Sequence, residues 1–195
     1  MSHPGLLLID YGDLPSLVAV TLQTRPEEVV IFHPRGSDAA ASGREAAARQ
    51  HKERLGARGF VLDELDALDD GCVLWRAAAV AVRQGCPAIL WPRQVGPDPD
   101  RIGQAVLRAN LVADFVQVGA PGLAARKLVF NLPLVDLTDA RLVELADEGG
   151  APMRAFGPCD SGRAVEPCGK CDGCRRWHKA FDAAGVVWPW ATVSI

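Results

Sequence analysis

Cys159, Cys168, Cys171 and Cys174, in the run GPCDSGRAVEPCGKCDGC, are the residues whose types and spacing point most directly to chemistry. Three thiols at steps of three residues, with a fourth nine residues upstream, converge on one point only if the backbone folds tightly around it. Gly169 and Gly173 supply the conformational freedom for that turn. Four thiolates at about 2.3 Å from one ion form the closed tetrahedral arrangement of structural zinc, with no position open to a substrate. An iron–sulfur cluster is the alternative, since Cys-x2-Cys-x2-Cys also holds clusters. In the ferredoxin run, however, the fourth cysteine closely follows the third and precedes a proline, whereas Arg175, Arg176 and Trp177 follow here. Disulfides would need an oxidising compartment, and the stretch MSHPGLLLID lacks the basic region and long apolar core of a secretory signal. An architectural zinc site in a cytoplasmic protein is therefore expected. Cys72 and Cys86 stand alone in apolar surroundings and read as small buried side chains.

The second candidate site is the segment Asp10-Tyr11-Gly12-Asp13-Leu14-Pro15-Ser16, between the apolar run Leu6-Leu7-Leu8-Ile9 and a helical pattern over 17–22. A loop between strand and helix is where α/β proteins bind phosphate, because loop amides and the helix N-terminus face the anion. This loop is poorly made for that role. Asp10 and Asp13 place carboxylates where phosphate charge would sit, Pro15 removes a donor, and only Gly12 allows close backbone approach.

The elements that must position these residues alternate. Further strands are predicted at 28–32, 59–62, 87–91 and 115–118, with helices over 44–55, 73–84 and 101–114. The regular strand–helix alternation argues for a mostly parallel sheet covered by helices on both faces. Residues 127–131 and 134–137 read as short extended pieces separated by Pro133, the second at the sheet edge or outside it. Thr138 caps a helix over 139–148 that Gly149-Gly150 terminates. The turn-rich segment 92–100 lies at the carboxyl end of a predicted strand, where ligands bind in open α/β sheets, so Arg93 and Arg101 are candidates for anion contact. Trp177, His178 and Phe181 fall on a further helix, and Trp188 and Trp190 are expected to pack back on the body.

The 195 residues, 49% hydrophobic, suffice for one core plus a metal-tied appendage, divided here as 1–150 and 151–195. No apolar run approaches the roughly 18 residues needed to span a bilayer, so no membrane partner is expected. A net charge of −3 gives no global basic footprint, which makes a nucleic-acid partner unlikely. The local cluster of Arg175, Arg176 and Lys179 reads as an offset to thiolate charge.

The C-terminal half resembles the 7-cyano-7-deazaguanine synthase family (QueC/ExsB) of PP-loop ATP pyrophosphatases. The residues that carry the resemblance are Pro133-Leu134-Val135-Asp136-Leu137-Thr138 and the helix after it, Cys159, the run Glu166-Pro167-Cys168-Gly169-Lys170-Cys171-Asp172-Gly173-Cys174, and Ala180-Phe181. The resemblance implies a zinc site, a Rossmann-like adenine nucleotide α-hydrolase fold and a homodimer. It also implies ATP-dependent chemistry, in which a deazapurine carboxylate is adenylated and converted with ammonia to a nitrile. The family's phosphate loop reads Ser-Gly-Gly-x-Asp-Ser; here it is Tyr11-Gly12-Asp13-Leu14-Pro15-Ser16, so only Gly12 and Ser16 of the fixed positions remain. The family's arginine three residues after the last cysteine is Trp177.

Three functional expectations follow. The first is a zinc-tied relative with lost or altered ATP chemistry, holding a purine-like molecule or a protein partner. Any nucleotide would then lie near 10–16, near 33–37 with Arg35, and near Arg93. The second is an active ligase in which Asp10 or Asp13 recruits magnesium. The third is an iron–sulfur protein that modifies tRNA.

Overall fold

A computed structural model describes residues 5–66, 68–119, 127–161 and 166–191. Five strands, β1 (Leu6–Ile9), β2 (Val29–Arg35), β3 (Gly59–Glu64), β4 (Ala88–Leu90) and β5 (Val129–Asn131), form one sheet in the order β3-β2-β1-β4-β5. Every neighbouring pair is parallel. This is the doubly wound order of a Rossmann-like fold, as the sequence pattern predicts. The chain runs outward from β1 to β3 and then crosses back to β4, so the crevice between β1 and β4 is the topological switch point.

The helices are α1 (Leu14–Thr21), α2 (Ala41–Leu55), α3 (Asp70–Gln84), α4 (Pro99–Gly119), α5 (Asp139–Glu148) and α6 (Asp172–Ala184). Successive strand residues point to opposite faces. Leu7, Ile9, Val30, Phe32 and Ile89 therefore pack with α3 and α4, while Leu8, Val29, Ile31 and Leu90 pack with α1, α5 and α6. Both faces are covered, which is why the strands read as continuous apolar runs instead of alternating ones.

Local chemistry sets the helix ends. The Asp13 side chain caps α1, starting it at Leu14, before the expected 17. Asp69 caps α3 and Thr138 caps α5. Gly56, Gly85 and Gly185 end α2, α3 and α6 in the left-handed conformation.

The expected strand at 115–118 is instead the last turn of α4. Ala105, Ala109, Ala113 and Val116 are buried at steps of four, four and three, so helical periodicity runs through a segment whose β-branched residues alone suggested a strand. The fifth strand is Val129–Asn131. Residues 134–137 form turns outside the sheet, closed by the Leu137 N–H donating to Leu134 O.

The C-terminal segment returns onto the α1 face. Phe156 is buried there, edge-on to Trp177 at 5.7 Å and Trp190 at 5.4 Å and stacked on Phe181 at 6.3 Å. Arg154 Nε donates to the Pro189 carbonyl at 2.9 Å, and Trp188 meets Phe181 edge-on. The aromatic tail thus shares one core with α1 and α5. Replacing Phe156 by Ala removes the hub of this cluster and should lower unfolding free energy by about 3–5 kcal/mol in urea titration. A loss below about 1 kcal/mol would show that the tail is not integral to the core.

Candidate functional site

The loop after β1 is held together by its own side chains. Asp10 is fully buried and accepts the Gly12 N–H at 2.8 Å. The Tyr11 N–H donates to Ser16 Oγ at 2.9 Å. Ser16 in turn donates both its N–H and its hydroxyl to Asp13 Oδ1, at 3.0 and 2.6 Å. The amides of Tyr11, Gly12 and Ser16 are thus taken up by Ser16, Asp10 and Asp13 side chains. Gly12 is fixed by space as well as conformation: its φ is +71°, and a Cβ there would lie 2.1 Å from the Arg44 carbonyl oxygen. The Gly12 carbonyl accepts the Gly157 N–H, which ties the loop to the C-terminal segment.

His51 lies against Asp10. Its Nδ1 is 2.9 Å from Asp10 Oδ2, and its Nε2 is 2.8 Å from the Ala155 carbonyl oxygen. Both ring nitrogens face acceptors. Burial disfavours charge on either partner, yet their mutual attraction and hydrogen bond raise the His51 pKa and lower that of Asp10. The pair is an imidazolium and a carboxylate. Both Asp10 oxygens are enclosed and hydrogen-bonded within the chain. His33 donates from Nδ1 to the Asp10 carbonyl oxygen at 2.6 Å, and burial pushes its pKa down, keeping the ring neutral. Burial likewise raises the pKa of Asp13.

Beside the loop, at the switch-point crevice, opens a cavity of about 280 Å³ walled by Tyr11, Asp13, Arg44, Arg93, Arg176 and Trp177, among others. The Tyr11 hydroxyl accepts the Trp91 indole N–H at 3.1 Å. Arg93 approaches Asp70 at 3.4 Å. Arg35 is elsewhere. It pairs with Glu45 at 3.3 Å and Glu64 at 2.9 Å and lines a second cavity with Ser37 and Asp66, so the two candidate anion contacts do not converge. Arg101 is exposed on α4.

The four cysteines converge as their spacing predicts. One sulfur from each of Cys159, Cys168, Cys171 and Cys174 lies within 4.8 Å of the others, and Cys168 Sγ is 4.0 Å from Cys174 Sγ. The edge of a tetrahedron with 2.3 Å metal–sulfur bonds is about 3.8 Å, so the group could hold a metal ion. Backbone amides line the sulfurs: Lys170 and Cys171 N–H point at Cys168 Sγ, and Asp160 and Cys174 N–H at Cys171 Sγ, all at 3.4 Å. The two amides on Cys168 pull its pKa down to about 5, toward the thiolate that ligates metal. Gly169, at φ +69°, makes the turn between the knuckle sulfurs.

Two functional side chains were missed by the sequence reading. Arg176, assigned there to thiolate charge, makes a bidentate pair with Asp139 at 2.7 Å, donates to Gln94 Oε1 at 3.1 Å, and stacks on Trp177. It clamps α6 to α5 and to the segment after β4 while walling the cavity. Arg175 is turned away, onto Asp172 and the Lys170 carbonyl. His51 was given no role in the sequence reading; it shares a helix face with Ala47 and Ala48, at spacings of four and three, and that face is buried.

Residues 106–185 match the family model described as Queuosine biosynthesis protein QueC. This segment of the chain is similar to that family. Over 120 residues the chain is 32% identical to the 7-cyano-7-deazaguanine synthase of Campylobacter curvus, covering 60% of this chain and 51% of that protein. It is also 32% identical over 92 residues to that of Cellvibrio japonicus, covering 47% and 38%. The chain therefore matches about half or less of the length of these relatives. Among solved structures, NMN synthetase from Francisella tularensis superposes with a TM-score of 0.43 at 14% identity, over 95% of this chain and 79% of that one. Among the described residues no helix is long and apolar enough to cross a membrane.

The buried pair gives a pH signature. His51, with its folded pKa raised above the usual 6.5, contributes stability that is complete below about pH 6.5 and is lost as pH climbs through the folded value. Asp10, lowered from 3.8, contributes above about pH 4 and loses that contribution as pH falls through its folded value. Stability measured by urea unfolding should therefore decline on the alkaline side. His51→Ala should remove that decline and cost about 3–5 kcal/mol at pH 6, because it strands a buried carboxylate.

Proposed function

We propose that this chain is a zinc-binding relative of 7-cyano-7-deazaguanine synthase in which the ATP chemistry has been lost or altered. The observation that carries the reading is the closed loop at 10–16. An incoming phosphate would have to displace the Asp10 and Asp13 carboxylates from the Gly12 and Ser16 amides, and would meet Asp13 charge at close range. At about 4 Å and the effective dielectric of a protein surface, such like-charge contact costs roughly 1–4 kcal/mol. The retained residues have structural reasons to remain: Gly12 for its contact with Arg44, Ser16 for its bonds to Tyr11 and Asp13. Asp10, unlike a free carboxylate, has no oxygen to offer magnesium, which argues against the active-ligase alternative.

The ligand role is carried instead by the cavity next to the loop. Trp177 and Tyr11 offer aromatic surfaces, and Arg44 and Arg93 offer positive charge, a combination suited to a flat, purine-like molecule with an acidic substituent. The four thiols are read as the zinc ligands, closed and architectural, in a protein of the cytoplasm. Four thiolates leave no open coordination site for catalysis.

Two measurements test the two halves of this reading. Calorimetric titration of the metal-loaded protein with ATP and magnesium should give millimolar binding or none, whereas micromolar binding would restore the ligase reading. Elemental analysis should find one zinc per chain. Cys171→Ser should release that zinc and loosen the C-terminal third, since binding energy at a structural site is folding energy. Retention of full thermal stability after zinc loss would overturn the architectural assignment.

A further inference from the structure

The walls of the switch-point cavity are unevenly balanced in charge. Arg44 is paired with Asp38, and Arg176 with Asp139. Asp70 is shared by Arg93 at 3.4 Å and Arg108 at 3.3 Å, so two guanidinium groups answer one carboxylate and a positive charge is left over. Arg93 Nε is buried without an acceptor. At the loop the imbalance is reversed. Asp13 Oδ1 accepts the Ser16 N–H and hydroxyl at 3.0 and 2.6 Å, which leaves Oδ2 as the oxygen that this cavity-lining residue can offer. Among the described residues no cation lies within ion-pairing distance of Asp13. Burial raises its pKa, as it does for a carboxylate removed from water without a counter-charge.

We propose that Asp13 determines the specificity of this cavity, and that the ligand is a zwitterion: a flat acid held through the Arg93 guanidinium that also carries a protonated amine for Asp13 Oδ2. The inference rests on the reading that the cavity binds a flat molecule with an acidic substituent, and adds the second charge. The state of the two oxygens selects an ammonium. A guanidinium or amidine edge is held best by both oxygens of a carboxylate in parallel, and Oδ1 already receives two donors. A neutral hydroxyl would fill the hydrogen bond and leave the charge unbalanced. An ammonium does both, and a charge-assisted bond of this kind is roughly twice as strong as a neutral one. The oxygen that repels phosphate thus selects a cation, so the same substitution in the loop rejects one ligand class and recruits another.

The test is an NMR titration of the metal-loaded chain, following the Trp177 indole N–H, with the meta and para isomers of aminomethylbenzoate, hydroxymethylbenzoate and methylbenzoate. These share ring and acid and differ only in the group offered to Asp13. One aminomethyl isomer should bind at least ~10-fold more tightly than its hydroxymethyl and methyl counterparts. Asp13→Asn retains a good helix cap and an oxygen for Ser16 but no negative charge, and should erase the preference with zinc content and circular dichroism unchanged. If Asp13→Asn does not fold, Asp13→Ser, which also caps helices, takes its place. Arg93→Gln should weaken all the acids alike. Methyl analogues that shift the Trp177 indole and bind as tightly as the aminomethyl ones overturn the role of Asp13 while leaving the acid site standing, as does a preference that survives the loss of the Asp13 charge. If no acid shifts the indole at millimolar concentration, the cavity reading itself falls, and this inference with it.

Discussion

The buried pair of Asp10 and His51 is the constraint on which the rest of the site depends. Two charges are held out of water, and a charge so placed is tolerable only when its geometry is nearly complete. It is complete here because three remote parts of the chain meet: the loop after β1 supplies the carboxylate and the Gly12 amide, α2 supplies the imidazole, and the turn at Ala155 supplies the second acceptor. Fixing these atoms fixes the loop's path. With Gly12 seated on the Arg44 backbone and bonded to Gly157, the loop is positioned from both sides.

That rigidity underlies the proposal that a phosphate-loop architecture has changed its chemistry here while keeping its shape. The strand, the turn, the capped helix and the switch-point crevice are all retained. What differs is which atoms satisfy the loop amides. In a nucleotide enzyme of this architecture an exogenous anion does so; here carboxylates already present in the chain do. The thiol cluster is tied in by the Arg176–Asp139 clamp and the aromatic packing around Phe156. Its role in the fold does not require that the crevice turn over ATP.

Much of this was legible in the sequence. The apolar runs at 6–9, 28–32 and 87–91 identified strands of the parallel sheet, and Thr138 lay where capping chemistry puts it. The four cysteines were legible because metal-knuckle spacing is a local signal. The segment at 115–118 was misread because β-branched composition is a weaker guide than the burial of every third or fourth residue along α4. Arg176 and His51 were missed for a different reason. Their partners, Asp139 and Asp10, are 37 and 41 residues away, and no local pattern reports a contact made only by folding.

Cys171 has two structural duties at once. Its sulfur sits among the four thiols, and it is also the residue that starts α6, accepting the Cys174 amide. Arg176 and Trp177, which wall the cavity, are carried on the first turns of that helix. The thiol cluster and one wall of the crevice are thereby carried on a single helix, whose first capping bond is made by a member of the cluster.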